Sequence, residues 1–244
     1  MSKLAGQTAL VTGGGSGIGL AVARQMLAEG ARVAITGRSA DKLRRAAAEL
    51  NAGDRLVYHP ADLAEYAQAE AMVREATARL GHIDILVNNA GMNVKERSFQ
   101  ELTPERWHEL MGANLHGAFH CLRAVVPQMR ARRAGLVINI NSISGKRAHP
   151  LGGLGYVAAK FGLRGLALGL AAEEKDSGLR VSSIYPGEVN TPILEARPKA
   201  VTAEQKAQML QPDDVAAAVL FLATLPAHVW VPELVITPAN AQYL

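Results

Sequence analysis

"TALVTGGGSGIGLAVARQMLAEG", residues 8–30, carries a short β-rich apolar run through a turn of glycines into a helical pattern. From residue 17 onward, apolar side chains recur at three- and four-residue spacing, which marks an amphipathic helix. The turn fails the common G-x-G-x-x-G fingerprint, because counting from Gly13 puts Ile18 where the third glycine belongs. It fits G-x-x-x-G-x-G, with Gly13, Gly17 and Gly19. Glycines at such positions permit a tight strand-to-helix turn, close approach of backbone to a pyrophosphate, and tight packing of helix on sheet. The helix N-terminus adds attraction for phosphate. A dinucleotide ligand is the expectation here, set against a merely flexible loop.

The same alternation continues along the chain. Strands are expected at 8–12, 31–36, 55–59, 84–89, 136–140, 180–185 and 233–237, and helical patterns lie between them at 17–30, 40–50, 64–81, 103–132, 156–175 and 213–225. Strand–helix alternation predicts an α/β fold, a single doubly wound Rossmann-like domain over residues 1–244. Its seven-stranded, mostly parallel sheet would have helices on both faces. The long irregular stretch begins "PGEVNTPILEARPKAVTA" at 186, and a loop over about 186–210 is expected to serve the substrate.

Composition narrows the class. With 244 residues and 49% apolar content, the chain can bury roughly three quarters of its unfolded surface and needs no covalent staples. Cys121 is the only cysteine and lies in an apolar helix, reading as a core residue compatible with a reducing compartment. The net charge of +4 comes with scattered arginines, and the cluster at 129–135 sits at a helix end, where cations are favoured. Nucleic-acid binding is not expected. No signal peptide is read at the N-terminus and no apolar run reaches bilayer-spanning length, so a cytoplasmic protein without membrane contact is expected. No metal site is expected.

The turn at Thr12–Gly19 resembles that of the short-chain dehydrogenase/reductase family, and further pieces match in order: Asp62–Leu63 after the third strand, "NNAG" at 88–91, Asn114, "NSISG" at 141–145, "YVAAK" at 156–160 and "YPGEVNTP" at 185–192. Each is weak alone, but the order is specific and covers nearly the whole chain. The resemblance implies an enzyme that moves a hydride between a nicotinamide cofactor and a small carbonyl or alcohol substrate. It implies cofactor contacts at Thr12, Gly13, Gly15, Ser16, Gly17, Ile18, Gly19, Arg38, Ser39, Asp62, Leu63, Asn89, Ala90, Gly91, Tyr156, Lys160, Pro186, Gly187, Val189 and Thr191. Gly37 stands where an NAD-binding member carries an acid, and Arg38 follows it. A guanidinium can pair with a 2′-phosphate that a carboxylate would repel, so NADP(H) is expected, with NAD(H) the alternative.

Tyr156 and Lys160 lie one helical turn apart and share a face. By the resemblance, Tyr156 exchanges the proton as general acid/base, Lys160 and the oxidised nicotinamide lower its pKa, and Ser142 orients the substrate oxygen. Ser144 is the alternative to Ser142. Asn114 would anchor a water linking Lys160 to solvent, and Thr191 would meet the carboxamide or cap the helix that follows. Lys146, Arg147 and His149 would face an acidic substrate or stay solvated. The stretch "PAHVWVPELVITPANAQYL" lacks the family's glycine-rich ending, placing Pro238 and Asn240 there. A homodimer or homotetramer is expected from the apolar fourth and fifth helices. The readings kept beside this one are an NAD-dependent alcohol dehydrogenase, a 3-oxoacyl-carrier-protein reductase, and a cofactor-binding sensor without turnover.

Overall fold

The computed structural model describes residues 2–241. Seven strands, β1 (Thr8–Thr12), β2 (Arg32–Gly37), β3 (Leu56–Pro60), β4 (Ile85–Asn88), β5 (Gly135–Ile140), β6 (Leu179–Pro186) and β7 (Glu233–Ile236), form one sheet of order β3-β2-β1-β4-β5-β6-β7. Every pairing is parallel. Each expected strand is present, with ends shifted by a residue or two.

Helices α1 (Gly17–Ala28), α2 (Ala40–Leu50) and α3 (Tyr66–Leu80) follow the first three strands. The helical pattern at 103–132 divides into α4 (Pro104–Met111), a π-helical turn (Gly112–His116) and α5 (Gly117–Arg132). Then come α6 (Leu154–Glu173), the short α7 (Ala203–Ala207) and α8 (Pro212–Ala223). Successive residues of a strand point to opposite faces, so Val11 enters a core with α1, α2 and α8 while Leu10 enters a second core with α3 and α5. Burial on both faces explains why the strands are almost continuously apolar.

The stretch 186–210 is ordered by a 3₁₀ turn at Pro192–Ala196, by α7 and by a bridge between Val189 and Leu210. Helix α6, with a mean hydropathy of 1.2, is long and apolar enough to cross a membrane by length and composition alone, although Lys160 and Arg164 interrupt its apolar run. Its inner residues Gly155, Ala159, Leu163 and Ala167 are buried, and it packs on β6 and on the turn after β5. Near the C-terminus, Asn240 Nδ2 donates to Gln208 Oε1 at 3.2 Å. Gln242–Leu244 of the atypical ending lie outside the described residues.

Candidate active site

The carboxyl ends of β1, β4, β5 and β6 open onto a cavity of about 960 Å³. Strand order reverses between β1 and β4, and a reversal of this kind leaves a crevice at the strand ends where ligands bind. The glycine turn forms one wall. A Cβ on Gly19 would lie 2.4 Å from the Gly13 carbonyl oxygen, and one on Gly13 would lie 2.8 Å from Asn89 Nδ2. Ser16 caps α1 without a side-chain hydrogen bond, and the first turn holds no acid. Its free N–H groups therefore suit an anion. Ser16, Gly17 and Ile18 line the cavity, and Gly17 sits against the Thr191 methyl group. A dinucleotide pyrophosphate fits these features.

Several of the residues expected to contact the cofactor also brace the site. The buried Thr12 hydroxyl accepts the N–H groups of Asn89 and Ala90, each at 2.9 Å, and Asn89 Nδ2 donates to the Thr12 carbonyl at 2.8 Å. Together they fix the β1 turn against the end of β4, with Ala90 and Gly91 on the cavity side. Ser39 caps α2 by accepting the Lys42 N–H, and Arg38 is exposed without an ion pair among the described residues. Lys42, which sequence reasoning missed, lines the cavity. Asp62 accepts the Ala64 N–H at 3.0 Å and Leu63 is buried, both outside the cavity lining. Pro186, Gly187, Val189 and Thr191 form the opposite wall. Thr191 precedes the 3₁₀ turn without a side-chain cap bond, so its hydroxyl does not serve that cap.

Ser142, Tyr156 and Lys160 converge at the end of β5 and the start of α6. Lys160 Nζ lies 5.5 Å from the Tyr156 ring centroid and donates to the Ile140 carbonyl at 3.0 Å. Burial holds this ammonium at about 8, below its usual range. Burial also raises the Tyr156 phenol, while hydrogen bonding with Ser142 and the charge of Arg97 pull it down. Arg97 is thus a second cation beside the phenol, in addition to Lys160. Ser142, rather than the buried Ser144, is the serine facing the phenol; Ser142 Oγ also accepts the Ser144 N–H at 3.1 Å. Asn114, on the π turn, donates to the carbonyls of Met92 and Leu110, each at 2.9 Å, and accepts the Met92 N–H at 3.2 Å. π turns recur at functional sites because they re-aim side chains and backbone groups.

Arg97, unremarked in the sequence, is only 9% exposed. Its guanidinium donates to the carbonyls of Val94 (2.7 Å), Leu151 and Ala196 (2.8 Å), gathering three loops at the cavity rim. Its signal was a charged run, "VKERSF", inside an expected loop. Lys146, expected to face an acidic substrate or stay solvated, pairs with Glu233 at 2.6 Å. Exposed His149 takes the Leu151 N–H at 3.1 Å. Cys121 is fully buried, and burial pushes its thiol up to about 12, which suits a core residue.

A family profile described as short chain dehydrogenase matches residues 7–202. The chain is 38% identical to a D-beta-hydroxybutyrate dehydrogenase of Rhizobium meliloti over 82% of its length and 80% of the relative's. It is 35% identical to one of Cupriavidus necator, covering 92% and 93%. The structure of a serine dehydrogenase complexed with NADP+ superposes with a TM-score of 0.89 at 32% identity, covering 97% of both chains. Fold, site order and likeness over most of the length therefore agree that this chain is an oxidoreductase belonging to the short chain dehydrogenase family, acting on CH–OH and C=O groups.

Proposed function

We propose that this enzyme transfers a hydride between NADP(H) and a secondary alcohol or ketone, with Tyr156 giving and taking the proton. The reading is carried by the juxtaposition of Tyr156, Ser142 and Lys160 on the cavity that the uncapped α1 N-terminus also borders. The nicotinamide supplies the hydride in reduction and accepts it in oxidation. In reduction, the Tyr156 hydroxyl donates its proton to the substrate oxygen, which the Ser142 hydroxyl holds in place. Burial raises the phenol's pKa, which favours the protonated form that donates. In the oxidative direction the nearby cations Arg97 and Lys160 favour the phenolate that takes the proton back. Asn114 commits its side chain to Met92 and Leu110, so a water link to Lys160 would use its backbone carbonyl.

For the cofactor, Arg38 and Lys42 supply two cations beside the β2 end, where Gly37 stands in place of an acid and the nearby Asp41 is paired with Arg44. The serine dehydrogenase relative, complexed with NADP+, supports the same choice. The two relatives named for a hydroxybutyrate support a secondary alcohol as substrate. A homodimer or homotetramer is supported by apolar residues left exposed on α5 and α6. Consumption of NADPH and of NADH with a panel of small ketones tests the chemistry. Tyr156→Phe is expected to lower kcat/KM by about 10²–10⁴-fold, and NADPH to show the lower KM. Full-rate turnover by Tyr156→Phe would remove the tyrosine from its role, and a clear preference for NADH would overturn the cofactor choice.

A further inference from the structure

Arg97 is a buried cation with no carboxylate partner: it forms no ion pair among the described residues. A guanidinium has five N–H groups. Three are spent on the carbonyls of Val94, Leu151 and Ala196, which leaves two, one on each terminal nitrogen. Arg97 lines the cavity, so those hydrogens have somewhere to point. Burial and the like charge of Arg197 both work against the guanidinium's charge, yet an arginine keeps its charge in proteins. Arg197 is itself taken by Glu188 at 2.7 Å. Glu96, Glu188 and Glu195 also line this cavity, yet none of them forms an ion pair with Arg97 among the described residues, so its spare hydrogens are open to an anion brought by a ligand.

Position adds to the argument. A Cβ on Gly153, three residues before Tyr156, would lie 2.7 Å from the Arg97 Cβ, and the Leu154 N–H donates to the Arg97 carbonyl at 3.2 Å. Asn93 Nδ2 adds a bond to the Gly152 carbonyl at 3.0 Å. The arginine is therefore held firmly against the turn that launches α6, and its charge is felt at the Tyr156 hydroxyl. One small molecule can meet both groups.

We propose that the substrate is a short hydroxy or oxo acid whose carboxylate binds the two spare N–H groups of Arg97 while its alcohol or carbonyl oxygen meets Tyr156 and Ser142. Arg97 is then the residue that sets the substrate class, and a rigid one, since three loops hold it. This inference rests on the hydride-transfer reading above.

The test compares 3-hydroxypentanoate with its methyl ester, using wild type, Arg97→Met and Arg97→Lys. The wild type is expected to favour the acid by at least about tenfold in kcat/KM, the range of a charge-assisted hydrogen bond. Arg97→Met should bring the acid-to-ester ratio down at least tenfold, and Arg97→Lys should retain part of the preference. That ratio does not depend on how much of a variant folds. A wild type indifferent to the charge, or a ratio unchanged in Arg97→Met, overturns the proposal. Binding to wild-type protein with NADP+ gives an arm free of mutation and of turnover: butyrate should bind at least tenfold more tightly than butyramide, and equal binding rejects the anion site. If neither hydroxypentanoate compound is oxidised while butyrate still binds selectively, the anion site stands and the hydride-transfer reading falls.

Discussion

Lys160 is an ammonium placed where burial disfavours its charge, with one backbone carbonyl as its recorded partner. Its pKa falls from 10.5 to about 8, so the unfolded chain holds more protons than the folded one between those values. The penalty is full below pH 8 and fades as pH rises from 8 to 10.5. Lys160→Met is therefore expected to raise Tm at pH 7 by on the order of a few degrees, measured without added cofactor, while abolishing activity. The gain should shrink toward pH 10.5; a lower Tm at pH 7 would show that the bond to Ile140 outweighs the desolvation. The pair Tyr156/Lys160 was legible from spacing, because a helix places residues four apart on one face. Arg97 was not, because its partners are backbone carbonyls of three separate loops and carry no side-chain signature. The ion pair of Lys146 was hidden for a related reason: its partner Glu233 comes from the far end of the chain.

Glu233 joins elements as well as residues. From β7 it accepts from Lys146 after β5 (2.6 Å), from Arg164 on α6 (2.9 Å) and from Tyr185 on β6 (2.7 Å). Burial pushes its carboxyl up, but these three donors outweigh that and bring it down to about 2. A depressed carboxyl gives stability that is present above its unfolded value of 4.5 and lost as pH falls toward 2. Glu233→Gln is accordingly expected to lower Tm at pH 7 and to flatten the fall of Tm between pH 4.5 and 2. Parallel Tm-against-pH curves for the two proteins would reject the assignment. Elements themselves were largely legible, since strands buried on both faces are continuously apolar and glycines punctuate them. The division of 103–132 was hidden, because a π turn leaves the apolar periodicity running on either side.

At the scale of the whole molecule, α6 presents outward the apolar residues Leu154, Phe161 and Leu168, 47%, 41% and 48% exposed, at heptad spacing. Exposed Gly165 and Gly169 leave that face flat, and Phe119 of α5 is exposed as well. Sedimentation should return a dimer or tetramer, and the double variant Phe161→Asp, Leu168→Asp should shift it to a smaller species. A wild-type monomer would reject the assembly, and an unchanged mass in the variant would reject this face. The all-parallel sheet also has a consequence for how the molecule comes into being. No strand can be closed by a hairpin, so each waits for its crossover, and such non-local topologies fold slowly. A nascent chain holds Tyr156 and Lys160 well before β7 emerges with the carboxylate that pairs with Lys146 and Arg164. The last strand to be made thus brings the clamp on the helix that carries the reacting residues.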